Sequence, residues 1–263
     1  MPKSRINDID MYFEQQGSGD DIVLISGLSA DHHVWDTVYA ALSKQYRVLR
    51  FDNRGAGQTD APPRDYSVRQ MANDAATLMK TLAIDKASII GHSMGGYIAQ
   101  QFAIDHADKT EKLVLITSRA KPSIAVQTLS ETWQQMIAQG IEPSIVSKNA
   151  MALLFADDFL SRSEQVDAYM TKKLANPHRQ TAPGLAGQLA ASRHYDSSEI
   201  LADIKVPTLV IGGEADRMLP LYNSQFLAEN IPDAQLVVIN GCGHMPQYEK
   251  PQQLLTLIRR FCR

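Results

Sequence analysis

The sequence has little of several features that would define a specialised class of protein. It holds only two cysteines, Cys242 and Cys262, among 263 residues, too few for the disulfide framework of a small secreted domain. The formal net charge is only −3, so nothing indicates binding to nucleic acid or to an anionic membrane surface. The chain contains no run of about 18 apolar residues, so no transmembrane helix is predicted. We therefore expect a soluble globular protein that binds neither nucleic acid nor membrane.

Two further absences concern location and cofactors. The stretch before Gly17 has no apolar segment of the kind that marks a secretory signal peptide, and together with the scarcity of cysteine this favours a cytoplasmic protein. The histidines, cysteines and aspartates do not have the spacing of a metal site. We expect no metal and no other cofactor. Hydrophobic residues make up 44% of the chain, enough for a sizeable core.

Short apolar segments alternate with segments of helical spacing. The strand-like segments are Asp21–Ser26, Arg47–Phe51, Ala87–Ile90, Lys112–Thr117, Thr208–Gly212 and Gln235–Ile239. The helix-like segments are His33–Ser43, Ser67–Leu82, Met94–His106, Leu221–Asn230 and Pro251–Phe261. An imperfect alternation over Ile6–Gln15 predicts one edge strand. Strands that alternate with helices indicate βαβ crossovers, so the predicted class is α/β with a mostly parallel central sheet and flanking helices.

The alternation stops between about Arg119 and Glu199, where helical patterns occur without a clear strand. This stretch stands where a single crossover belongs, so it predicts a helical insertion over the sheet. The predicted organisation is an α/β core over residues 1–118 and 200–263, with a helical cap over residues 119–199.

A glycine-rich turn between a strand and a helix carries the chemistry. The run Gly91-His92-Ser93-Met94-Gly95 has the G-x-S-x-G pattern of a nucleophile elbow, and it lies between a strand-like and a helix-like segment. A Cβ atom at either glycine is expected to collide with the neighbouring backbone of so tight a turn. The following helix N-terminus offers unpaired N–H groups and a partial positive charge. We predict that Ser93 is a catalytic nucleophile.

A serine nucleophile needs a base that is oriented by an acid. In this strand–turn–helix arrangement the chain order is serine, acid, histidine. Asp216 follows the strand-like segment Thr208–Gly212, and His244 follows the last one. We predict Asp216 as the acid and His244 as the general base. Glu214 is the competing acid, but it lies closer to its strand, which leaves less chain to aim the carboxylate.

An oxyanion hole requires two backbone donors. The N–H of Met94, the residue after the nucleophile, is one candidate. The other is the N–H of Leu28, because Gly27 allows the loop after the first apolar strand to turn. Gly27, His92 and Trp133 are the candidates for contact with substrate, although packing is the alternative role for His92.

Four segments together resemble the α/β-hydrolase superfamily: Gly27-Leu28, Phe51-Asp52-Asn53-Arg54-Gly55, GHSMGG, and Gly243-His244. Within it the chain is similar to a compact esterase and lactonase branch that includes 3-oxoadipate enol-lactonases and pimeloyl-carrier-protein methyl ester esterases. The resemblance implies the same triad and oxyanion donors, and a cap domain over the insertion. One departure is Ser26, which stands where the family usually has histidine. That difference leaves open how the oxyanion loop is held.

The predicted function is hydrolysis of a small or medium carboxylic ester or lactone through an acyl-enzyme. The same triad supports C–C bond hydrolysis, perhydrolysis or lyase chemistry, and a non-catalytic receptor is a third possibility. A further hypothesis is that the substrate is a methyl ester carried by an acyl carrier protein, since acidic carriers complement basic surfaces. It depends on the basic residues of the insertion, Lys172, Lys173, Arg179 and Arg193.

Overall fold

The computed structural model of the protein describes residues 3–263. In that range eight strands form one sheet with the order β1-β2-β4-β3-β5-β6-β7-β8. The strands are β1 (Lys3–Ile6), β2 (Ile9–Gln16), β3 (Asp21–Ile25), β4 (Arg47–Phe51), β5 (Ala87–His92), β6 (Thr110–Ile116), β7 (Thr208–Gly213) and β8 (Ala234–Ile239). β2 pairs antiparallel with β1 and β4, and the other pairings are parallel. The predicted α/β class with a mostly parallel sheet is confirmed.

Helices fill the crossovers and both faces of the sheet. They are α1 (Asp36–Leu42), α2 (Val68–Thr81), α3 (Met94–Asp105), α4 (Ile124–Ala138), α5 (Pro143–Leu154), α6 (Asp157–Leu160), α7 (Ser163–Ala175), α8 (Ala182–His194), α9 (Tyr222–Asn230), α10 (Pro246–Glu249) and α11 (Pro251–Cys262). The hydroxyl of Ser67 accepts a hydrogen bond from the N–H of Gln70, so the predicted N-cap starts α2. The predicted helix over 33–43 instead begins with the 3-10 turn His32–Trp35.

The strands separate two apolar cores because neighbouring side chains point to opposite faces of a sheet. Val23 and Ile25 pack on the face covered by α2 and α3. Ile22 and Leu24 pack on the other face, against α1 and α11. Burial on both faces explains why these strands are continuous apolar runs rather than alternating ones.

The expectation of one edge strand over Ile6–Gln15 is wrong. The chain turns at Asn7 and Asp8, and β1 and β2 form a hairpin in which Ile6 pairs with Ile9. Asn7 has φ 52°, a left-handed conformation that asparagine tolerates better than most residues, which allows the tight turn. β1 is therefore the edge strand, and β2 lies inside the sheet.

The segment between β6 and β7 contains α4 to α8. Its apolar side chains, including Met151, Phe155 and Phe159, join the core on the α1 and α11 face. The division into a core over 1–118 and 200–263 and a cap over 119–199 stays a prediction, and its residues 1 and 2 lie outside the described range. None of the helices in residues 3–263 is long and apolar enough to cross a bilayer.

Candidate active site

Ser93 is the single residue between β5 and α3, and its backbone is strained. Its φ of 55° and ψ of −120° lie in a region that residues other than glycine rarely adopt, at a cost of about 1–3 kcal/mol. The neighbouring strand β6 holds this conformation. The N–H of Ser93 donates to the carbonyl of Ile116 at 2.9 Å, and its carbonyl accepts from the hydroxyl of Ser118 at 3.0 Å.

The elbow leaves no space for side chains at its glycines. A Cβ atom at Gly91 would lie 2.2 Å from the carbonyl oxygen of Gly95, and one at Gly95 would lie 2.1 Å from that of Ile25. Both contacts are with backbone, which cannot move aside. The expected collision is confirmed at both glycines.

His244 and Asp216 lie on adjacent loops that follow β8 and β7. Nδ1 of His244 and Oδ2 of Asp216 are 2.8 Å apart, and both side chains are almost fully buried. The other carboxylate oxygen accepts from the N–H groups of Met218 and Leu219 at 2.9 and 2.8 Å. A carboxylate held in this way accepts a hydrogen bond from Nδ1–H, which leaves Nε2 of a neutral ring free to accept a proton. Glu214 instead accepts from the N–H of Gly241.

The backbone of His244 is tied to the elbow and to the segment between β6 and β7. Its carbonyl oxygen accepts from Nε2 of His92 at 2.8 Å and from Oγ1 of Thr117 at 3.0 Å. Its N–H donates to the carbonyl of Leu154 at 2.9 Å. Three separate elements therefore fix the loop that carries the predicted base, and one of them is the residue directly before Ser93.

A buried carboxylate also holds this loop from below. Glu249 accepts from the N–H groups of Gly243 and Met245 at 3.0 and 3.1 Å, the two residues that flank His244. It accepts as well from the N–H of Ala156 at 3.0 Å. Sequence reasoning missed Glu249, because its contacts depend on how the His244 loop folds back over it.

His92 lies in the interior, between Trp35 and the ring of His244. Complete burial, and secondarily electrostatic interaction with the neighbouring His244 ring, lower the pKa of His92 to about 3. Its ring is therefore neutral near pH 7 and donates through Nε2, while Nδ1 has no hydrogen-bond partner among the described residues. This geometry gives His92 a positioning contact; its contact with substrate stays a prediction.

The loop after β3 passes directly beside the elbow. A Cβ atom at Gly27 would lie 3.1 Å from Cβ of Ser93, so only glycine allows this approach without displacement. The N–H groups of Leu28 and Met94 have no acceptor within the described part of the chain. Met94 is the first residue of α3, where the helix itself supplies no acceptor. Two free backbone donors therefore belong to residues next to Gly27 and Ser93.

Two further residues, Trp133 and Cys242, have contacts that bear on their possible roles. Trp133 is half-buried on α4, and its indole N–H donates to Oδ1 of Asn149 on α5 at 2.8 Å. That bond commits its polar edge to a neighbouring helix, and its role in substrate binding stays a prediction. Cys242 is fully buried beside the His244 loop, and burial raises the pKa of its thiol, which makes it a poor nucleophile.

Two of the four basic residues of the insertion have acidic partners inside the molecule. Lys172 pairs with Asp36, and Arg193 pairs with Glu131 at 2.6 Å. Contact with an acyl carrier protein stays a prediction. Among residues 3–263, no group of three or more His, Cys, Asp or Glu side chains is arranged to hold a metal ion.

Comparison with known proteins places this geometry in a family. A family model described as alpha/beta hydrolase fold matches residues 21–251. The chain belongs to this family. It is 26% identical over 269 residues to a provisionally named carbamate hydrolase RutD of Azorhizobium caulinodans, which covers 100% of this chain and 98% of that protein.

Two further comparisons involve enol-lactonases. The chain is 29% identical over 244 residues to 3-oxoadipate enol-lactonase 1 of Acinetobacter baylyi, across 91% of this chain and 87% of that protein. The crystal structure of the enol-lactonase from Burkholderia xenovorans superposes with a TM-score of 0.86 at 28% identity, covering 99% of each chain. The resemblance stated from the sequence motifs is confirmed, including its enol-lactonase relatives.

Proposed function

We propose that this alpha/beta hydrolase is a serine hydrolase that cleaves a carboxylic ester or lactone. The observation that carries the proposal is the hydrogen bond between His244 and Asp216 at 2.8 Å, on a loop whose backbone is bonded to the residue before Ser93. A strained serine, an oriented imidazole and two unpaired N–H groups are the parts that acyl transfer needs.

In the first half of the reaction, Oγ of Ser93 attacks the carbonyl carbon of the substrate. A bond forms between that oxygen and the carbon, and the hydroxyl proton passes to Nε2 of His244. The Asp216 carboxylate stabilises the imidazolium that results. The negative charge moves to the carbonyl oxygen, where the N–H groups of Leu28 and Met94 donate to it. The carbon–oxygen bond to the leaving group then breaks, and the alkoxide takes the proton from His244.

In the second half, water attacks the acyl-enzyme. His244 accepts a proton from the water as the new bond forms, and returns it to Ser93 as the acid leaves. No electron transfer and no co-reactant other than water is required. We assign to residues 119–199 the role of a cap over this centre. Leu154 of that segment accepts from the N–H of His244, and Ala156 donates to Glu249, the carboxylate that clamps the His244 loop.

The test is turnover of aryl esters of increasing acyl length and of a set of lactones. Ser93→Ala should lower kcat by about 10³-fold or more, because no other group supplies the attacking oxygen. Ser18→Ala is the matched control. Ser18 is exposed in the segment before β3, whereas the loop with Gly27 and Leu28 follows the other end of β3. In addition, a fluorophosphonate should phosphonylate Ser93 of the wild-type protein with loss of fluoride, adding the mass of the reagent less HF. Ester turnover that survives in Ser93→Ala would overturn the proposal.

The name of the relative from Azorhizobium makes carbamate hydrolysis the second candidate. On an aryl carbamate the same attack by Ser93 would release the phenol and leave a carbamoyl-enzyme, which water hydrolyses to a carbamic acid that breaks down to carbon dioxide and an amine or ammonia. Aryl carbamates added to the panel separate the two candidates. The wild-type protein should turn over only one of the two substrate classes well, and turnover of either class should be lost in Ser93→Ala.

A further inference from the structure

The loop that carries Leu28 contains a second strained residue. Ser29 has φ 59°, a left-handed conformation that a residue with a side chain adopts at a cost. Its N–H donates to Oε1 of Gln188 at 3.0 Å. Gln188 lies on α8, 159 positions away in the chain, so a helix of the segment 119–199 holds the turn.

The amide of Gln188 has only one orientation that fits its surroundings. The side chain is fully buried, and Nε2 donates to the carbonyl oxygen of Arg54 at 2.9 Å. The N–H of Ser29 requires an acceptor and the carbonyl of Arg54 requires a donor, so a flipped amide would leave both unsatisfied. Nε2 of Gln180 donates to the same Oε1 at 2.8 Å.

The helix that carries Gln188 is docked closely on the core. A Cβ atom at Gly184 would lie 2.1 Å from the carbonyl oxygen of Gly55, and one at Gly187 would lie 2.5 Å from the ring of Tyr66. These contacts fix the distance between α8 and the loop after β4. Gln188 therefore has a defined position relative to the loop after β3.

Two hydrogen bonds together determine where the N–H of Leu28 points. The N–H of Ala30 donates to the carbonyl of Gly27 at 3.3 Å, which orients the peptide between Gly27 and Leu28. Gln188 orients the next peptide, between Leu28 and Ser29. Because a trans peptide places N–H opposite C=O, the bond to Ala30 sets the direction of the Leu28 N–H, and the bond to Gln188 restrains the peptide on the other side of Leu28.

The start of the loop shows why support from α8 is needed. Where the family usually has a histidine, this chain has Ser26, whose hydroxyl donates to the carbonyl of Asp31 at 3.1 Å. Nδ2 of Asn53 holds the carbonyl of Ser26 at 2.8 Å. Both of those contacts are made by Ser26 itself. Farther along the loop, beyond Leu28, the side chain of Gln188 contacts the N–H of Ser29.

We propose that Gln188 is a positioning residue for the oxyanion hole, aiming the N–H of Leu28 at the developing oxyanion through its bond to Ser29. The proposal rests on the proposed serine-hydrolase function. It makes the placement of α8 part of catalysis: movement of this helix would change the strength of the oxyanion hole without touching the triad.

Gln188→Met tests this, because methionine has a similar length but makes neither hydrogen bond. We expect kcat to fall about 10- to 100-fold with KM within about threefold, somewhat less than the loss of an entire oxyanion donor. The inhibition constant of phenylboronic acid, which forms a tetrahedral adduct, should rise in proportion to the loss of kcat/KM. Each kcat is calculated from the concentration of active protein, taken as the fraction that fluorophosphonate labels at completion.

Gln188→Glu is the conservative variant. Its carboxylate keeps an acceptor for the N–H of Ser29, so it should be more active than Gln188→Met. Gln127→Met is the matched control, since Gln127 of α4 also donates to a backbone carbonyl of α8, that of Arg193, and should leave kcat unchanged. If Gln188→Met does not fold, Gln188→Asn replaces it, because the shorter amide cannot span Ser29 and Arg54.

Two results would overturn the proposal. One is kcat and boronate inhibition within twofold of wild type in Gln188→Met, or in Gln188→Asn in its place, whatever the change in thermal stability. The other is Gln188→Glu no more active than Gln188→Met. Neither result affects the proposed function, which fails separately if Ser93→Ala keeps ester turnover.

Discussion

Nε2 of His92 donates a hydrogen bond to the backbone carbonyl of His244 at 2.8 Å, across 152 positions of the chain. The residue before the proposed nucleophile therefore fixes the backbone of the proposed base. Full burial lowers the pKa of His92 to about 3, so the ring stays neutral and keeps donating well below pH 7. The same fact ties His92 to the stability of the protein in acid.

The first prediction concerns that acid stability. Between pH 6.5 and about 3 the unfolded chain binds a proton at His92 that the folded protein does not, so stability falls as pH falls. We expect His92→Phe to reduce the slope of unfolding free energy against pH by up to about 1.4 kcal/mol per pH unit. Urea unfolding at pH 4, 5, 6 and 7 measures this.

Thr117→Val is the control for that experiment. It removes the other side-chain hydrogen bond to the carbonyl of His244, but it removes no ionisable group. It should therefore lower stability by a similar amount at every pH and keep the wild-type slope. Parallel curves for wild type and His92→Phe would contradict the prediction.

The second prediction concerns the elbow. Gly95→Ala should lower the free energy of unfolding by about 3 kcal/mol, the upper end of the usual cost of overpacking, because its Cβ would meet the carbonyl of Ile25 at 2.1 Å in a packed core. Gly140→Ala is the matched change: Gly140 has φ 71° but open space around its Cβ position, so only the backbone cost of about 1 kcal/mol remains. Equal losses in urea unfolding would show that close packing does not explain the glycine at position 95.

The sequence predicted what depends on local pattern. The strands, the elbow at Ser93 and the pairing of His244 with Asp216 follow from apolar runs, glycine positions and chain order. The hairpin at Asn7 was missed because apolar and polar residues alternate imperfectly on both sides of the turn. Gln188 was missed for another reason: a hydrogen bond between α8 and Ser29 joins distant parts of the chain and leaves no spacing to recognise.

The third prediction separates the two acidic candidates. Asp216→Asn should lower kcat by about 10³- to 10⁴-fold with KM little changed, because the amide cannot hold the Nδ1–H tautomer of His244 as a carboxylate does. Glu214→Gln is the control, since its amide oxygen can still accept from the N–H of Gly241, and kcat should stay within about threefold. A larger loss in Glu214→Gln than in Asp216→Asn would reverse the assignment.

The last prediction concerns the clamp below the base. Glu249 accepts from three N–H groups, those of Ala156, Gly243 and Met245, whereas glutamine offers one oxygen and turns an NH₂ group toward donors. Glu249→Gln should therefore lower the free energy of unfolding by about 2–4 kcal/mol and kcat by roughly tenfold, because the loop that positions His244 loosens. Glu229→Gln, an exposed change on α9, should alter neither. If Glu249→Gln is destabilised but keeps the wild-type kcat, Glu249 contributes to stability and not to the positioning of His244.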